Sequence, residues 1–597
     1  MCGISGIISK KRIEKNIIEP MTDKIIHRGP DGFGYYYGEK FVFGHRRLSI
    51  VDLSDAGHQP MEYLNRYIIT FNGEVYNHLE LRKELEKNGY VFQSHTDTEV
   101  IMASYDFWGV DCLNKFNGMW AFVIYDKVKD KYFMSRDRFG KKPFYYYKDE
   151  GKFIFGSEIK VILAHPDVKS KPNLKFLDSY VQNGAKEYIK ETAFENIFRF
   201  DFSSYFEGSL EDIFENFELN KFWEIKPNLS HEKFDEEKAK EYAKQYYELL
   251  EDAVRIRLRA DVKVGSALSG GLDSSSIVYL VNKLLKEQGK EELQETFSSV
   301  YKSDGTQDCD ESYFIDIIAK KLGVHSNQIE PKEEDIPSEH EKVIYSMENP
   351  PESTCMSGWH TFKLVASTDV KVTLDGQGAD EQLGGYLLYL RNYISSLSIV
   401  DMFSQAKKCL QIPNSSKYVF VGLCLGIYRV LFGEKFLKFT IKNIFKRDFE
   451  TNLNKKLGID TMSSLITLIH YADHTSMAFS IESRMPFMDY RLVEFLASVP
   501  ACYKMRDGWT KYLARLAFDG KLPDEINWRK DKMGWPVPEN HWFRGNLKQW
   551  FIKEIKSSQL VKRYNIDIEK DLNSKQNIIK LIRFLNISKL DSLNRVR

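Results

Sequence analysis

The sequence predicts two domains of different class. The first is an α+β sandwich of antiparallel sheets over about 1–202, and the second an α/β domain with a parallel sheet over 236–597, joined by a connector at 203–235. Three observations predict this. The chain has 597 residues, more than one hydrophobic core usually supports. Its first third is a series of short β-branched and aromatic runs bounded by turn residues, with few helical patterns between them. From 236 onward strand and helix patterns alternate, the rhythm of a parallel sheet covered on both faces.

In the first domain the strand runs are Phe41–Phe43, Tyr67–Phe71, Met119–Tyr125, Lys131–Met134, Pro143–Tyr147 and Phe153–Phe155. Leu79–Asn88 and Glu99–Trp108 have helical spacing. The stretch Met1-Cys2-Gly3-Ile4 stands out. With Met1 trimmed, Cys2 carries a thiol beside a free α-amine, whose pKa of about 7.7–8.0 leaves part of it an unprotonated base near neutral pH. Nucleophile and base then share one residue. Four further clusters can carry chemistry. His27-Arg28-Gly29-Pro30-Asp31 is a turn preceded by a basic pair. Arg46-Arg47-Leu48-Ser49-Ile50-Val51-Asp52 offers an arginine fork for a carboxylate. In Phe71-Asn72-Gly73-Glu74, the Asn72 amide and the Gly73 N–H form the donor pair an oxyanion hole needs. Asp97 can accept from an ammonium group. Each has a plainer alternative: a turn, a surface arginine, an Asn-Gly turn, a helix N-cap. Together they supply what a free amino acid with a side-chain amide requires.

The second domain opens with a helix over Glu236–Arg259, its apolar residues on one stripe. A strand at Val262–Leu268 then runs into Ser269-Gly270-Gly271-Leu272-Asp273-Ser274-Ser275 and a helix to about Glu287. Strand, glycine loop and helix N-terminus make an anion site of free backbone N–H groups. The loop has no Walker A lysine, which disfavours ordinary γ-phosphate transfer. Strands at Thr296–Tyr301, Ser326–Ile329 and Val370–Leu374 alternate with helices at Glu311–Leu322 and Glu339–Met347. Ligands belong at the carboxyl ends of such strands. Asp375-Gly376-Gln377-Gly378-Ala379-Asp380-Glu381 follows the last of them, and its carboxylates suit Mg²⁺ held against phosphates; an exposed acidic turn is the alternative. About 390–460 is an apolar, then basic, helical insertion. It either packs on the core or meets a partner or membrane surface. The tail after Lys553 is polar with short helical patches.

Composition is that of a soluble globular protein, 43% hydrophobic and 28% charged. A formal net charge of zero gives no bulk attraction to nucleic acid or anionic membrane. Seven scattered cysteines form neither a disulfide framework nor a zinc pattern, so a reducing cytoplasm is expected. No signal peptide is legible, and the longest apolar run, Tyr418–Tyr428, is too short to span a bilayer. Sequence leaves the oligomeric state open, a homodimer included.

Cys2-Gly3-Ile4, His27-Arg28-Gly29-Pro30-Asp31, Arg47–Asp52 and Asn72-Gly73-Glu74 closely resemble the glutaminase domain of N-terminal-nucleophile (Ntn-hydrolase type) glutamine amidotransferases. The resemblance implies that Cys2 attacks glutamine, with Arg47, Leu48, Ser49, Ile50, Val51, Asn72, Gly73, Glu74 and Asp97 binding it. Ser269–Ser275 resembles the pyrophosphate loop of ATP pyrophosphatases. With Ser476–Asp489, Trp509-Thr-Lys511-Tyr512 and Arg529–Gly534, the second domain resembles the synthetase domain of the asparagine synthetase family. That implies ATP at Leu268, Ser269, Gly270, Gly271, Asp273, Ser274, Val300, Asp375, Gly376 and Lys511. It also implies Mg²⁺ at Asp273 and Asp380, and an acceptor, aspartate, at Gln377, Glu482 and Arg484. The insertion and the tail lie outside the resemblance. Many members carry Glu where this chain has Gln377, which cannot act as a base. The expected activity is glutamine-dependent asparagine synthesis through an acyl-adenylate. Alternatives are amidation of another carboxylate, a cyclising β-lactam synthetase type, and a nucleotide-binding scaffold.

Overall fold

The computed structural model describes the whole chain except residues 1, 231, 290–293, 445–448, 532–536, 573, 575–576 and 597. Lys532 and Gly534 of the last matched motif therefore lie outside the described residues, as does Met1.

Among the described residues seventeen strands form three sheets. In chain order they are β1 (Gly3–Ser9), β2 (Gly32–Tyr37), β3 (Phe41–Arg47), β4 (Met61–Tyr63), β5 (Tyr67–Val75), β6 (Gly118–Asp126), β7 (Lys131–Arg136), β8 (Tyr145–Lys148), β9 (Lys152–Gly156), β10 (Ile197–Arg199), β11 (Ser204–Gly208), β12 (Asn220–Lys221), β13 (Val264–Ala267), β14 (Glu295–Ser299), β15 (His325–Ile329), β16 (Val372–Leu374) and β17 (Glu482–Arg484). Two antiparallel sheets, ordered β10-β8-β9-β1-β3-β2 and β12-β11-β7-β6-β5-β4, make the N-terminal sandwich. Ile4, Ile8, Phe43 and Phe155 of one sheet are buried in one cluster with Ile68, Val123 and Met134 of the other. Each such side chain, fully buried, contributes about 1.5–3 kcal/mol. The third sheet, β15-β14-β13-β16-β17, is parallel throughout. Its connections are the helices the alternation predicts, among them Leu272–Glu287 and Ser312–Leu322.

Three stretches differ from the sequence expectation. The segment 203–235 begins by adding β11 and β12 to the second antiparallel sheet. The strand Gly3–Ser9, GISGIIS, sits inside the first sheet, although its glycines and serines dilute the β signal. The tail is not a set of short patches: Ile578–Val596 is one 19-residue helix. Its Leu581, Ile582, Phe584 and Leu585 are buried in the same cluster as Leu177 and Val181 of the helix Leu174–Asn183. Buried ion pairs also join the two halves. Asp473 of the second half bonds Arg28 at 2.8 Å and Lys142 at 3.0 Å, both of the first half, and Asp489, paired with Arg257 at 2.9 Å, accepts from Asn117 Nδ2 at 2.8 Å. Breaking one such pair by removing a partner typically costs about 3–5 kcal/mol, so these pairs pin the mutual orientation of the halves.

Candidate active sites

Cys2 immediately precedes β1, where two anchors place it. Ser157 holds the strand from both sides: Ile4 N–H donates to Ser157 Oγ at 2.9 Å, and Ser157 N–H donates to the Ile4 carbonyl at 2.9 Å. Arg28 Nε donates to the Cys2 carbonyl at 3.3 Å. The thiol lies 4.0 Å from the Leu48 carbonyl, and burial pushes its pKa up. Ser157 was not singled out from the sequence, and no motif there marks it.

Asn72 and Gly73 lie on β5. Asn72 is fully buried, and Nδ2 makes one long contact, 3.5 Å, to Ser157 Oγ. Gly73 must be glycine, because a Cβ there would stand 2.0 Å from the Met119 carbonyl oxygen on β6. Ser157 links β5 to the start of β1, since its Oγ lies 3.5 Å from Asn72 Nδ2 and accepts the Ile4 N–H at 2.9 Å. Arg47 ends β3 and donates to the carbonyls of Ser54, at 2.7 Å, and Asp52; it pairs with no carboxylate among the described residues. Asp31 accepts the Ser49 N–H at 2.8 Å, which shapes the Leu48–Val51 loop. Asp97 is the first residue of its helix rather than the cap, which is Thr96, and its carboxylate accepts the Val75 N–H at 2.7 Å. Burial drives the Asp97 carboxyl up to about 7, with Glu482 adding to the rise. Burial, then Glu482 and Asp97, hold Glu74 well above the usual range.

Glu482 and Arg484 are therefore placed differently from the acceptor role expected of them. They do not line the cavity of the parallel sheet. On β17, Arg484 Nη2 comes 3.7 Å from Glu74, and its Nε bonds Glu482 at 2.6 Å. Ser483, between them, donates to Asp375 instead, and the Asp375 N–H donates to the Arg484 carbonyl at 2.8 Å. Alternation along the strand thus turns two side chains toward the first site and one toward the second.

The second site is a cavity of about 380 Å³ at the carboxyl ends of β13 and β16. Leu268, Ser269, Gly271, Asp273 and Ser274 line it from one loop, and Asp375, Gly376, Gln377, Asp380 and Glu381 from the other. Gly376 lets the loops touch, since a Cβ there would lie 2.9 Å from the Ser274 nitrogen. Gly270 and Val300 stand outside the lining: Gly270 packs on Phe314, and Val300 N–H bonds the Ile329 carbonyl at 2.9 Å. Lys511 Nζ sits between Asp380, at 2.6 Å, and Asp273. Burial works against its charge, but the two carboxylates outweigh it and hold the ammonium above its ordinary range. Burial pushes Asp375 up to about 6. Gln377 faces the cavity and makes no hydrogen bond to another described residue. Glu381 accepts from the Tyr386 hydroxyl at 2.8 Å.

Cys355, Tyr386 and Arg515 also line the cavity and were not singled out from the sequence. Arg515 follows Lys511 by one helical turn, a spacing that marks it. Arg529, quoted within a motif without a role, pairs with Glu311 at 2.5 and 2.8 Å and lies 3.6 Å over the Phe314 ring. Among the described residues no cluster of three metal-ligating side chains occurs. Two carboxylates sharing one lysine nonetheless fit Mg²⁺, which takes its remaining ligands from phosphates and water.

Residues 1–223 match the family described as a glutamine amidotransferase domain, and residues 245–573 the family described as asparagine synthase. The second match runs through the 390–460 insertion. The chain is 30% identical to asparagine synthetase [glutamine-hydrolyzing] 3 of Bacillus subtilis, over 94% of this chain and 90% of that protein. It is 37% identical to putative asparagine synthetase [glutamine-hydrolyzing] 2 of Methanocaldococcus jannaschii, over 70% of this chain and 80% of that protein. A more distant relative, at 26% identity over 95% of this chain and 92% of its own length, is Amidase chry2 of Gibberella zeae.

Proposed function

This chain belongs to the glutamine-hydrolysing asparagine synthetase family, an ATP-using ligase family, and on that premise we propose that it makes asparagine from aspartate, glutamine and ATP. We assign the glutaminase to residues 1–202 together with β11 and β12, the rest of 203–235 to the connector and 236–597 to the ligase, with a helical insertion at about 390–460. Once Met1 is removed, the Cys2 α-amine takes the thiol proton as sulfur attacks the glutamine amide carbon. Asn72 Nδ2 and the Gly73 N–H stabilise the oxyanion, and ammonia leaves as the thioester forms. Water then releases glutamate. Arg47 holds the glutamine carboxylate, and Glu74 with Asp97 its ammonium.

In the second site the backbone N–H groups of Ser269–Ser274 and the Lys511 ammonium hold the ATP phosphates. Mg²⁺, when bound by Asp273 and Asp380, neutralises charge on those phosphates. The aspartate side-chain carboxylate displaces pyrophosphate from the α-phosphorus, giving an acyl-adenylate. Ammonia attacks that carbonyl and AMP leaves. Adenylation is required because a free carboxylate is a poor electrophile.

The observation carrying this reading is that one strand, β17, contacts both sites, through Arg484 to Glu74 and through Ser483 to Asp375. Incubation with glutamine, MgATP and aspartate should yield asparagine, glutamate, AMP and pyrophosphate; ADP in place of AMP would refute the adenylate route. A second reading, amidation of another carboxylate, is favoured by Gln377, which faces the cavity and cannot act as a base. Glutamine hydrolysis and AMP formation that depend on a different acid would select it.

A further inference from the structure

The helix Ser416–Phe432 is apolar on both sides, SKYVFVGLCLGIYRVLF. Its inner side buries Val419, Gly422 and Gly426. Arg429 is turned inward, donating to the carbonyls of Ser395 at 2.8 Å and Leu397 at 2.5 Å. Beyond Lys417 at its start the outer side carries no charged side chain: Phe420 is 68% exposed and Leu431 69%, with Cys424 and Ile427 exposed between them. The next helix, Glu434–Ile444, continues the surface with Phe436 and Phe439, the latter 64% exposed. Of the 28 exposed large hydrophobic residues among those described, eight lie on these two helices. An apolar surface this concentrated marks a docking face, whereas scattered exposed leucines do not.

The charge around it identifies the occupant. Lys417, Lys435 and Lys442 are exposed at its margins, and none pairs with a carboxylate among the described residues. The acidic Glu434 is neutralised by Lys438 at 2.7 Å. Phenylalanines and leucines flanked by unpaired lysines suit the boundary between acyl chains and anionic headgroups. A two-fold pairing of this face with a second copy would bring like charges together. No described helix is long and apolar enough to cross a membrane, so the contact is interfacial.

We propose that the outer face of Ser416–Phe432, with Phe436 and Phe439, seats this enzyme on the surface of an anionic phospholipid bilayer. The test is sedimentation of the full-length protein with vesicles of phosphatidylcholine, alone or mixed equally with phosphatidylglycerol, at low and high salt. Binding is expected to the anionic vesicles, weakening with salt. Lys435→Gln and Lys442→Gln each lower partitioning about fivefold. Phe420→Ser and Leu431→Ser each lower it roughly tenfold or more. Glutamine hydrolysis in these variants stays at the parent level, which reports their folding. Absence of sedimentation overturns the proposal, as does binding that none of the four substitutions changes. A dimer in light scattering that Leu431→Ser dissolves would give the face to a second copy and overturn it equally.

Discussion

Around Cys2, three buried carboxylates, Glu74, Asp97 and Glu482, share one guanidinium, Arg484, whereas in the cavity of the parallel sheet Asp273 and Asp380 share Lys511, and Arg529 is matched by Glu311. The first pocket is short of positive charge. Burial, and after it the neighbouring carboxylates, holds Asp97 and Glu74 high, whereas Glu482, against the same burial, is held below the usual range by Arg484. The second cavity keeps its lysine charged by pairing it with acids. The contrast follows from the ligands each would receive. On the proposed function, the glutamine ammonium would complete the first pocket, while the ATP phosphates would compete with Asp273 and Asp380 for Lys511 and free both carboxylates for a cation. Lone charges and paired charges therefore prepare opposite ligands.

The largest expected effect separates the two sites outright. Cys2→Ala should lower glutamine-dependent amide synthesis by roughly 10³-fold or more, with synthesis from ammonium salts near the parent rate. Loss of both would show that the sites are not separable. The mirror experiment is Lys511→Met, expected to cut synthesis from either nitrogen source by roughly 10²–10³-fold. Thioester turnover of glutamine should survive it; if hydrolysis falls in parallel, the contrast fails.

Arg484→Met probes the shared wall. It leaves Glu482, Glu74 and Asp97 buried without their cation, which should cost about 3–5 kcal/mol of stability by denaturant unfolding. Arg484→Lys should recover part of that loss, and an unchanged midpoint in Arg484→Met would remove Arg484 from its assigned place. A smaller effect concerns pH. Asp97 is raised to about 7, so below that value it is a neutral carboxyl and glutamine binding must expel a proton. The KM for glutamine should rise as pH falls below about 7, by up to roughly tenfold per unit, and level off above it. In Asp97→Asn that slope should become shallower, the remainder coming from Glu74, while KM for ATP keeps its parent profile. Least of all should change with Gln377→Glu. If Gln377 only positions the acceptor, amidation stays within a few-fold of parent; acceleration of tenfold or more would show that a base is missing there.

The candidate donor groups and the candidate anion loop were legible in the sequence because each set is local. Ser269–Ser274 is a strand, a glycine loop and a helix start within a few residues, and Asn72-Gly73 ends a single strand, so residue type and spacing were enough to name donors and anions. The two fold classes were legible for the same reason, through short β runs and then strand–helix alternation. Tertiary structure alone decided where Glu482 and Arg484 belong. As a three-residue run they carry no period of their own, and their place depends on β17 pairing with β16 and on contact with Glu74 some four hundred residues earlier. It also decided that the polar-looking tail is a packed helix, since its buried face exists only against Leu174–Asn183. The apolar outer side of Ser416–Phe432 was likewise decided there: composition reads the same whether a helix is buried all round or on one side, and only packing tells which side is left exposed.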